Sequence, residues 1–134
     1  MAKGWKGGSV QVQMAEIMAD YDLKVRDAVD ASGKEAAEVC VKQLKSTSPK
    51  RPKHGEYARS WAVKEEQIGT GVTDYIVYNK KHYQLTHLLE NGHMIRNKYG
   101  TYGRARPRKH IGPAADSAIQ RYELACRARI RSIK

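Results

Sequence analysis

Large apolar side chains are scarce in this sequence, and their scarcity limits the core that the chain can build. Leu, Ile and Val together number 23 of the 134 residues, and Phe is absent. Lys and Arg outnumber Asp and Glu by 25 to 14, which gives a net charge of +11. Such a balance is typical of chains near the boundary of disorder, although Tyr and Trp rings can partly compensate. We therefore expect a thin core and a surface that a partner completes.

Length and apolar patterning exclude several classes of protein. The chain has the size of one ordinary domain, which is too small for an enzyme with a deep cofactor domain. No apolar run approaches the ~18 residues that a membrane span requires, and no apolar stretch follows the basic start, so neither a membrane span nor a secretory signal is expected. Cys40 and Cys126 lack metal-ligand spacing. Both are interpreted as small buried hydrophobes of a protein from a reducing compartment.

Helical periodicity is clearest at the two ends of the chain. Over residues 14–44 the apolar positions recur at steps of three, four and seven, which predicts a helix with a bend or a break at Ser32–Gly33. Gly112–Pro113 predicts the start of a last helix, because Pro is favoured in a first turn. Its apolar positions follow at steps of three and four: Ala115, Ile119, Tyr122, Cys126, Ile130 and Ile133.

Strand-like and irregular segments fill the middle of the chain. Residues 57–66 and 72–79 are interpreted as antiparallel strands, and residues 83–91 as a short helix that Gly92 ends in the left-handed conformation. Residues 93–110 are interpreted as a long loop or a loose hairpin. The fold class is therefore α+β, with the N- and C-terminal helices packed on a small antiparallel sheet and with a long basic loop.

The domain organisation is expected to be simple. Residues 1–13 are interpreted as a flexible arm and residues 14–134 as a single domain. The expected core combines strand and helix positions: Trp61, Val63, Ile76, Tyr78, Leu85, Leu89, Ile119, Tyr122 and Ile130.

Two basic segments give the strongest functional signal. Residues 42–64 hold seven Lys or Arg with one acid, and residues 93–110 hold six with none. Such runs in irregular segments favour contact with a polyanion or an acidic neighbour, and Tyr99 and Tyr102 would suit base stacking. No recognition helix, zinc finger or aromatic RNA-binding sheet accompanies them. The expected subunit or partner contacts are Lys50, Arg51, Lys53, Arg96, Lys98, Tyr99, Tyr102, Arg104, Arg106, Arg108 and Lys109.

Signals for catalysis, metal binding and cofactor binding are missing. The glycines lack phosphate-binding spacing, and no nucleophile has a base beside it. The cluster of His82, His87, Glu90 and His93 departs from the spacing of zinc-binding helices. We expect no catalytic residue, no metal and no cofactor. Glu90 and His93 are interpreted instead as a helix-end hydrogen-bonding group that, with Gly92 and Pro113, orients the basic loop.

Three motifs stand in order along the chain. They are SPKR at 48–51 with GEYARSW at 55–61, YNK at 78–80 with YQLTHLLENGH at 83–93, and RP at 106–107 with HIGPAA at 110–115. Together they resemble the tailed-phage family of small head–tail connector or minor tail proteins, often called gene-product-ten-like. The resemblance covers the chain from Tyr21 to its end. The sequence departs from the family at residues 51–55, where a longer segment without Thr replaces a compact Pro-x-x-Thr-Gly.

The resemblance implies a structural, non-enzymatic virion protein of the phage neck or tail, made in the cytoplasm of the bacterial host. It implies a homo-oligomeric ring, expected as a hexamer, that joins head-closure or adaptor proteins to the tail terminator or tail tube around the DNA path. Diffuse, non-specific contact with genomic DNA in the lumen would fit the basic segments, and no membrane contact is expected. The alternative is a free-standing, non-specific nucleic-acid-binding protein.

Overall fold

The computed structural model describes residues 10–50, 55–69 and 73–134. These residues confirm the α+β class, because two long helices pack with small antiparallel sheets. A 3-10 turn at Tyr83–Leu85 leads directly into the third helix. In chain order the elements are α1 (Val10–Thr47), α2 (Glu56–Arg59), β1 (Trp61–Gln67), β2 (Thr73–Asn79), α3 (Thr86–Asn91), β3 (His93–Asn97), β4 (Gly100–Ala105) and α4 (Ile111–Arg131).

The helices α1 and α4 pack against each other in opposite directions. Near the start of α4, the carbonyl oxygen of Ala114 lies 3.8 Å from the Sγ atom of Cys40. At the far end, the Nζ atom of Lys24 donates a hydrogen bond of 3.2 Å to the carbonyl oxygen of Lys134. The packed part of α1 therefore begins near Lys24, and residues 10–23 extend past the end of α4.

The helix α1 runs without a break through Ser32 and Gly33, so the bend or break that the sequence suggested does not divide it into two helices. Ser32 is fully buried, and its hydroxyl donates a 2.7 Å hydrogen bond to the carbonyl oxygen of Ala28. A Cβ atom at Gly33 would lie 3.2 Å from the Tyr75 ring and 3.7 Å from the Tyr122 ring. The glycine therefore lets β2 and α4 approach α1 closely.

The strands β1 and β2 pair antiparallel, with Trp61 opposite Asn79 and Gln67 opposite Thr73. A two-stranded sheet is marginal alone, so its packing against α1 supports it. The predicted strand over residues 57–66 is wrong at its start, because residues 56–59 form the single helical turn α2. The helical turn buries the consecutive residues Tyr57 and Ala58 together, which an alternating strand cannot do.

The basic segment is a hairpin over most of its length, one of the two alternatives that the sequence left open. The strands β3 and β4 pair antiparallel with a bulge between Met94 and Arg96, so the long basic loop of the expected fold is not observed. Gly92 ends α3 with φ 77° and ψ 171°, which is positive φ but not the left-handed helical cap that was predicted. Extended ψ there aims the chain directly into β3.

The buried core is small and rich in alanine. Its central members are Cys40, Leu44, Tyr57, Trp61 and Ala114, with Val41, Val77, Leu89, Ile111 and Ala118 packed around them. The prediction of Trp61 in the core is confirmed. Ile119, Tyr122 and Leu85 were predicted there wrongly, since Ile119 is 63% exposed and the other two are 38% exposed. The expected core residues Val63, Ile76, Tyr78 and Ile130 are half-buried.

The N-terminal residues, the cysteines and the character of the helices complete the description of the fold. Residues 1–9 of the expected flexible arm lie outside the described residues, whereas residues 10–13 form the first turn of α1. Both cysteines are free thiols; Cys40 is buried and Cys126 is half-buried. Of the helices in the described ranges, none combines the length and the apolar character that crossing a membrane requires.

Candidate functional site: a buried latch and a basic hairpin

The Glu90 carboxylate, near the end of α3, is hydrogen-bonded to the start of α4 and so joins the two ends of the intervening segment. Its Oε1 atom accepts hydrogen bonds of 2.8 Å from the backbone N–H groups of His110 and Ile111, and its Oε2 atom accepts one of 2.9 Å from Gly112. The His110 side chain makes no capping hydrogen bond to α4. Glu90, although distant in the sequence, therefore accepts the hydrogen bonds of the backbone N–H groups that begin this helix. A negative charge also suits the positive end of the helix dipole.

The environment of Glu90 favours its charged form. Burial raises the pKa of Glu90, but the backbone N–H donors of His110, Gly112 and Ile111, with the nearby His110 side chain, together outweigh burial and lower that pKa below its ordinary value. A carboxyl whose pKa falls on folding stabilises the fold above its unfolded pKa of about 4.3, and this stabilisation is lost as pH falls through the lower folded pKa.

The buried His110 ring connects Glu90 to the aromatic core. The Nδ1 atom of His110 lies 2.7 Å from the carbonyl oxygen of Arg108, which can only accept, so Nδ1 carries a proton. In the neutral ring Nε2 then accepts the 2.7 Å hydrogen bond from the Tyr57 hydroxyl. The rings of Tyr57, Trp61 and His110 meet edge to face, with centroids 5.6 to 6.3 Å apart. We call Glu90, His110 and Tyr57 the latch.

The order carboxylate, imidazole, hydroxyl in the latch resembles a catalytic relay, but its electrostatics oppose that use. Burial and the Glu90 charge raise the pKa of Tyr57 to about 12, which holds the hydroxyl in its protonated form. Activation of a nucleophile through a lowered pKa is therefore not the use that this environment favours. Tyr57 is also only 8% exposed, so its hydroxyl has little access to a substrate. The latch is therefore suited to holding elements together.

Residues of all three sequence motifs meet around the latch. The Asn79 side chain is buried, and its Nδ2 atom donates a 2.8 Å hydrogen bond to the carbonyl oxygen of Tyr57. The indole N–H of Trp61 donates a 2.8 Å hydrogen bond to the Ser48 hydroxyl at the end of α1. Ser48, Tyr57, Asn79 and His110 all belong to these motifs, but the sequence predicts no role for any of them. In two of the three motifs a polar residue stands beside an aromatic one, as in Ser60–Trp61 and Tyr78–Asn79, whereas nothing local marks His110.

The base of the hairpin is tied to α3. The backbone N–H of Arg108 donates a 2.7 Å hydrogen bond to the carbonyl oxygen of Leu89. The Arg104 guanidinium and the Lys109 ammonium each lie 3.2 Å from an oxygen of Asn91. Gly92 allows this closure, because a Cβ atom there would lie 2.5 Å from the carbonyl oxygen of Ala105.

Residues 93–109, which we call the basic hairpin, are open to solvent beyond that base. Met94 and Ile95 are exposed, Tyr102 is 60% exposed, and the Lys98 ammonium lies 5.0 Å from the centroid of the Tyr99 ring. Six Lys or Arg lie in this range without an acid. Within the described ranges, no salt bridge involves any of these six.

The structure divides the expected contact residues into two groups. Lys50 is exposed just after α1, and Arg51 and Lys53 lie outside the described residues. The eight others all belong to the basic hairpin and are exposed: Arg96, Lys98, Tyr99, Tyr102, Arg104, Arg106, Arg108 and Lys109. Their role as contacts stays a prediction.

The expected loop-orienting residues surround the base of the hairpin. Glu90 and Gly92 lie at the end of α3, and Pro113 lies in the first turn of α4, where a missing N–H costs nothing. His93 opens β3 opposite Ala105, and its buried Nδ1 atom has no hydrogen-bond partner among the described residues. No group of His, Cys, Asp and Glu in the described ranges could hold a metal ion.

Comparison with known families identifies the chain. Residues 12–92 match the family described as "Bacteriophage HK97-gp10, putative tail-component". The chain belongs to this family. The match spans α1, the β1–β2 sheet and α3 and ends at Gly92, so the basic hairpin and α4 lie beyond it. No curated protein and no solved structure matched the chain. Family membership supports a structural role in a phage particle and a location in the virion.

Proposed function

We propose that this protein is a structural component of the phage neck or tail that assembles as a ring between the head-closure or adaptor components and the tail terminator or tail tube. The family match over residues 12–92 carries this proposal. In this proposal the subunits are identical, the ring is a hexamer, and it surrounds the path of the DNA. The chain is made in the host cytoplasm and functions in the virion.

The surface of the single chain supports assembly. Eighteen large apolar side chains are exposed in the described part of the chain, against a central core of five residues. Monomeric soluble proteins seldom expose apolar surface in large contiguous patches, and such patches mark interaction sites. The exposed apolar side chains of this chain are concentrated in the first half of α1, in the basic hairpin and on α4, so contacts on several sides are expected.

The latch supports a role without catalysis. It buries its hydroxyl, keeps it protonated and uses its carboxylate to cap a helix. These are the properties of a group that fixes the position of a neighbouring element. In the proposed ring, the latch holds the basic hairpin in a fixed orientation relative to the α1–α4 pair.

A search for the protein in purified phage particles tests the proposal. We expect mass spectrometry to find the chain in the virion, and imaging of intact particles at side-chain resolution to find it as a closed ring at the neck. Absence from the particle, or a position away from the head–tail junction, would contradict the proposal.

The six cations of the basic hairpin favour the second candidate function, a free-standing non-specific nucleic-acid-binding protein. That function requires a monomer or dimer whose affinity for duplex DNA falls steeply with salt, by counterion release. Light scattering of the purified chain, combined with a salt titration against duplex DNA, separates it from the ring. Within a ring, weak non-specific contact with DNA in the lumen fits the same cations.

A further inference from the structure

The first half of α1 extends past the end of α4, the helix it packs against. The end of α4 reaches α1 at Lys24, and the preceding 14 residues continue for about 21 Å of helix. We call residues 10–23 the α1 extension. Met14, Ile17, Met18 and Tyr21 repeat at steps of three and four along one face of it and are 50 to 68% exposed. A stripe at this spacing is typical of a helix that packs against another surface.

The α1 extension is acidic in a chain that is strongly basic. It holds Glu16, Asp20 and Asp22 and contains no Lys or Arg, while the whole chain has a net charge of +11. Asp20 and Asp22 form exposed pairs with Lys24 and Arg26 one turn further on. Such surface pairs contribute little and leave carboxylate oxygens available to a second cation.

The basic hairpin has the complementary character. It combines six cations with the exposed apolar side chains of Met94, Ile95 and Tyr102. Both surfaces thus join apolar side chains to charge, and the charges have opposite signs. Opposite potentials of this kind guide association and exclude wrong partners.

These two surfaces lie at opposite ends of α4 in one chain. Glu90 fixes the base of the basic hairpin at the start of α4, whereas the α1 extension begins where α4 ends. The 21 residues of α4 span about 31 Å, and the six residues of β4 span about 20 Å. The hairpin therefore cannot reach the extension of its own chain.

We propose that the α1 extension of one copy docks on the basic hairpin of the next copy. The inference rests on the proposed function, because it names the contact between neighbouring subunits of the ring. The contact joins two different surfaces, one from each copy, so it is head-to-tail. A head-to-tail contact closes a ring when the rotation between subunits permits.

Like charge argues against the symmetric pairings. Two α1 extensions would bring together three carboxylates from each copy, and two basic hairpins would bring together six cations from each. Both pairings bring like charges together and are opposed by Coulomb repulsion, whereas the contact between an extension and a hairpin is favoured by Coulomb attraction. The apolar stripe then packs beside the exposed hairpin side chains within a charged rim.

Charge reversal tests the contact in the full-length chain. One variant carries Glu16→Lys, Asp20→Lys and Asp22→Lys, and the other carries Arg96→Glu, Lys98→Glu and Arg106→Glu. Sedimentation velocity over a range of concentration and salt measures self-association. We expect each variant alone to associate at least tenfold more weakly than the unmodified chain. Mixing the two variants should restore association, because each then offers a surface of the sign that the other needs.

Matched controls reverse the same number of charges elsewhere on the exposed surface. Glu38→Lys, Glu65→Lys and Glu66→Lys control for added positive charge, and Lys34→Glu, Lys42→Glu and Arg121→Glu control for added negative charge. Both controls should associate like the unmodified chain. Circular dichroism on every variant verifies that the helices are intact.

Each other outcome overturns the inference, and most leave the proposed function standing. Rings that tolerate both variants would place the subunit contact elsewhere. A dimer that only the first variant disrupts would mean that two α1 extensions pair. Loss of duplex-DNA binding alone in the second variant would assign the hairpin to DNA. A chain that stays monomeric throughout has no such contact, and the search for it in phage particles then decides the proposed function separately.

Discussion

The latch and the basic hairpin are neighbours in the structure but differ in how their polar groups are paired. In the latch every hydrogen-bonding atom of the Glu90 carboxylate and the His110 ring has a partner from the same chain. In the hairpin the cations and the apolar side chains face solvent over most of its length. The difference indicates that the chain stabilises the point from which the hairpin projects and leaves the hairpin surface available for contact.

Removal of the Glu90 carboxylate gives the largest expected effect on the latch. Glu90→Ala leaves three backbone N–H groups at the start of α4 without their acceptor, so we expect a loss of about 3 kcal/mol in the free energy of unfolding. Urea denaturation measures it. Glu123→Ala removes an exposed carboxylate from a pair with Arg127 and should cost less than about 0.5 kcal/mol. Equal losses in the two variants would contradict the central role of the latch.

Low pH should reduce the destabilisation that follows from removing the charge of Glu90. Because the folded pKa of Glu90 is lowered, its charge stabilises the fold above about pH 4.3 and stops doing so as pH falls through the folded pKa. The gap in unfolding free energy between the unmodified chain and Glu90→Gln should therefore be full at pH 7 and narrow below pH 4. A gap that stays constant with pH would mean that the charge of Glu90 does not contribute.

The closure of the hairpin base depends on Gly92. In Gly92→Ala the new Cβ would meet the carbonyl oxygen of Ala105 at positive φ, and we expect a cost of about 2 kcal/mol with faster amide exchange in β3 and β4. Gly69→Ala provides the control, because Gly69 has a similar φ and, apart from Gly69 itself and its chain neighbours, no atom of the described residues lies within 4 Å of the Cβ position there. It should cost about 1 kcal/mol or less. Similar costs at both positions would show that closure does not need the glycine.

The Tyr57 hydroxyl contributes less than Glu90. Tyr57→Phe removes the donor to His110, with an expected loss of about 1 kcal/mol at pH 7. The folded pKa of Tyr57, raised to about 12, exceeds the unfolded value of about 10, so its contribution is full below pH 10 and is lost as pH rises toward 12. Denaturation curves of both proteins should converge over that range. Curves that stay parallel would exclude this linkage.

Substitutions on the open hairpin surface should affect stability least. We expect Arg96→Ala and Lys98→Ala to change the free energy of unfolding by less than about 0.5 kcal/mol, because both side chains are exposed. Thermal unfolding of the isolated chain measures this. A large destabilisation would place these cations in the fold of the single chain and weaken the contrast with the latch.

Periodicity in the sequence predicted the long helices, but it could not locate the core. The steps of three and four that identify α4 are the same whether its apolar face is buried by the chain itself or by a neighbouring molecule. The sequence therefore predicts Ile119 and Tyr122 in the core, whereas both are exposed in the structure. Residues 57–60 were read as strand because aromatic residues favour strands locally, while packing of Tyr57 on His110 imposes a helical turn.

The latch illustrates a different limit. Its three side chains come from positions 57, 90 and 110, and no spacing rule joins residues so far apart. The sequence predicts a role for Glu90 at a helix end but does not indicate that this helix is α4, twenty residues further on. The motifs of the resemblance contain Tyr57, Glu90 and His110 but do not indicate that they meet, because a motif records which residues occur and not where they lie in space.

The unbroken course of α1 has a mechanical consequence. Its 38 continuous residues span about 57 Å as one helix. One end is held between α4 and the β1–β2 sheet, and the α1 extension carries the helix about 21 Å beyond the end of α4. A molecule that binds the α1 extension is therefore kept at that distance from the α1–α4 pair, so the number of helical residues before Lys24 sets the spacing between this protein and its neighbour.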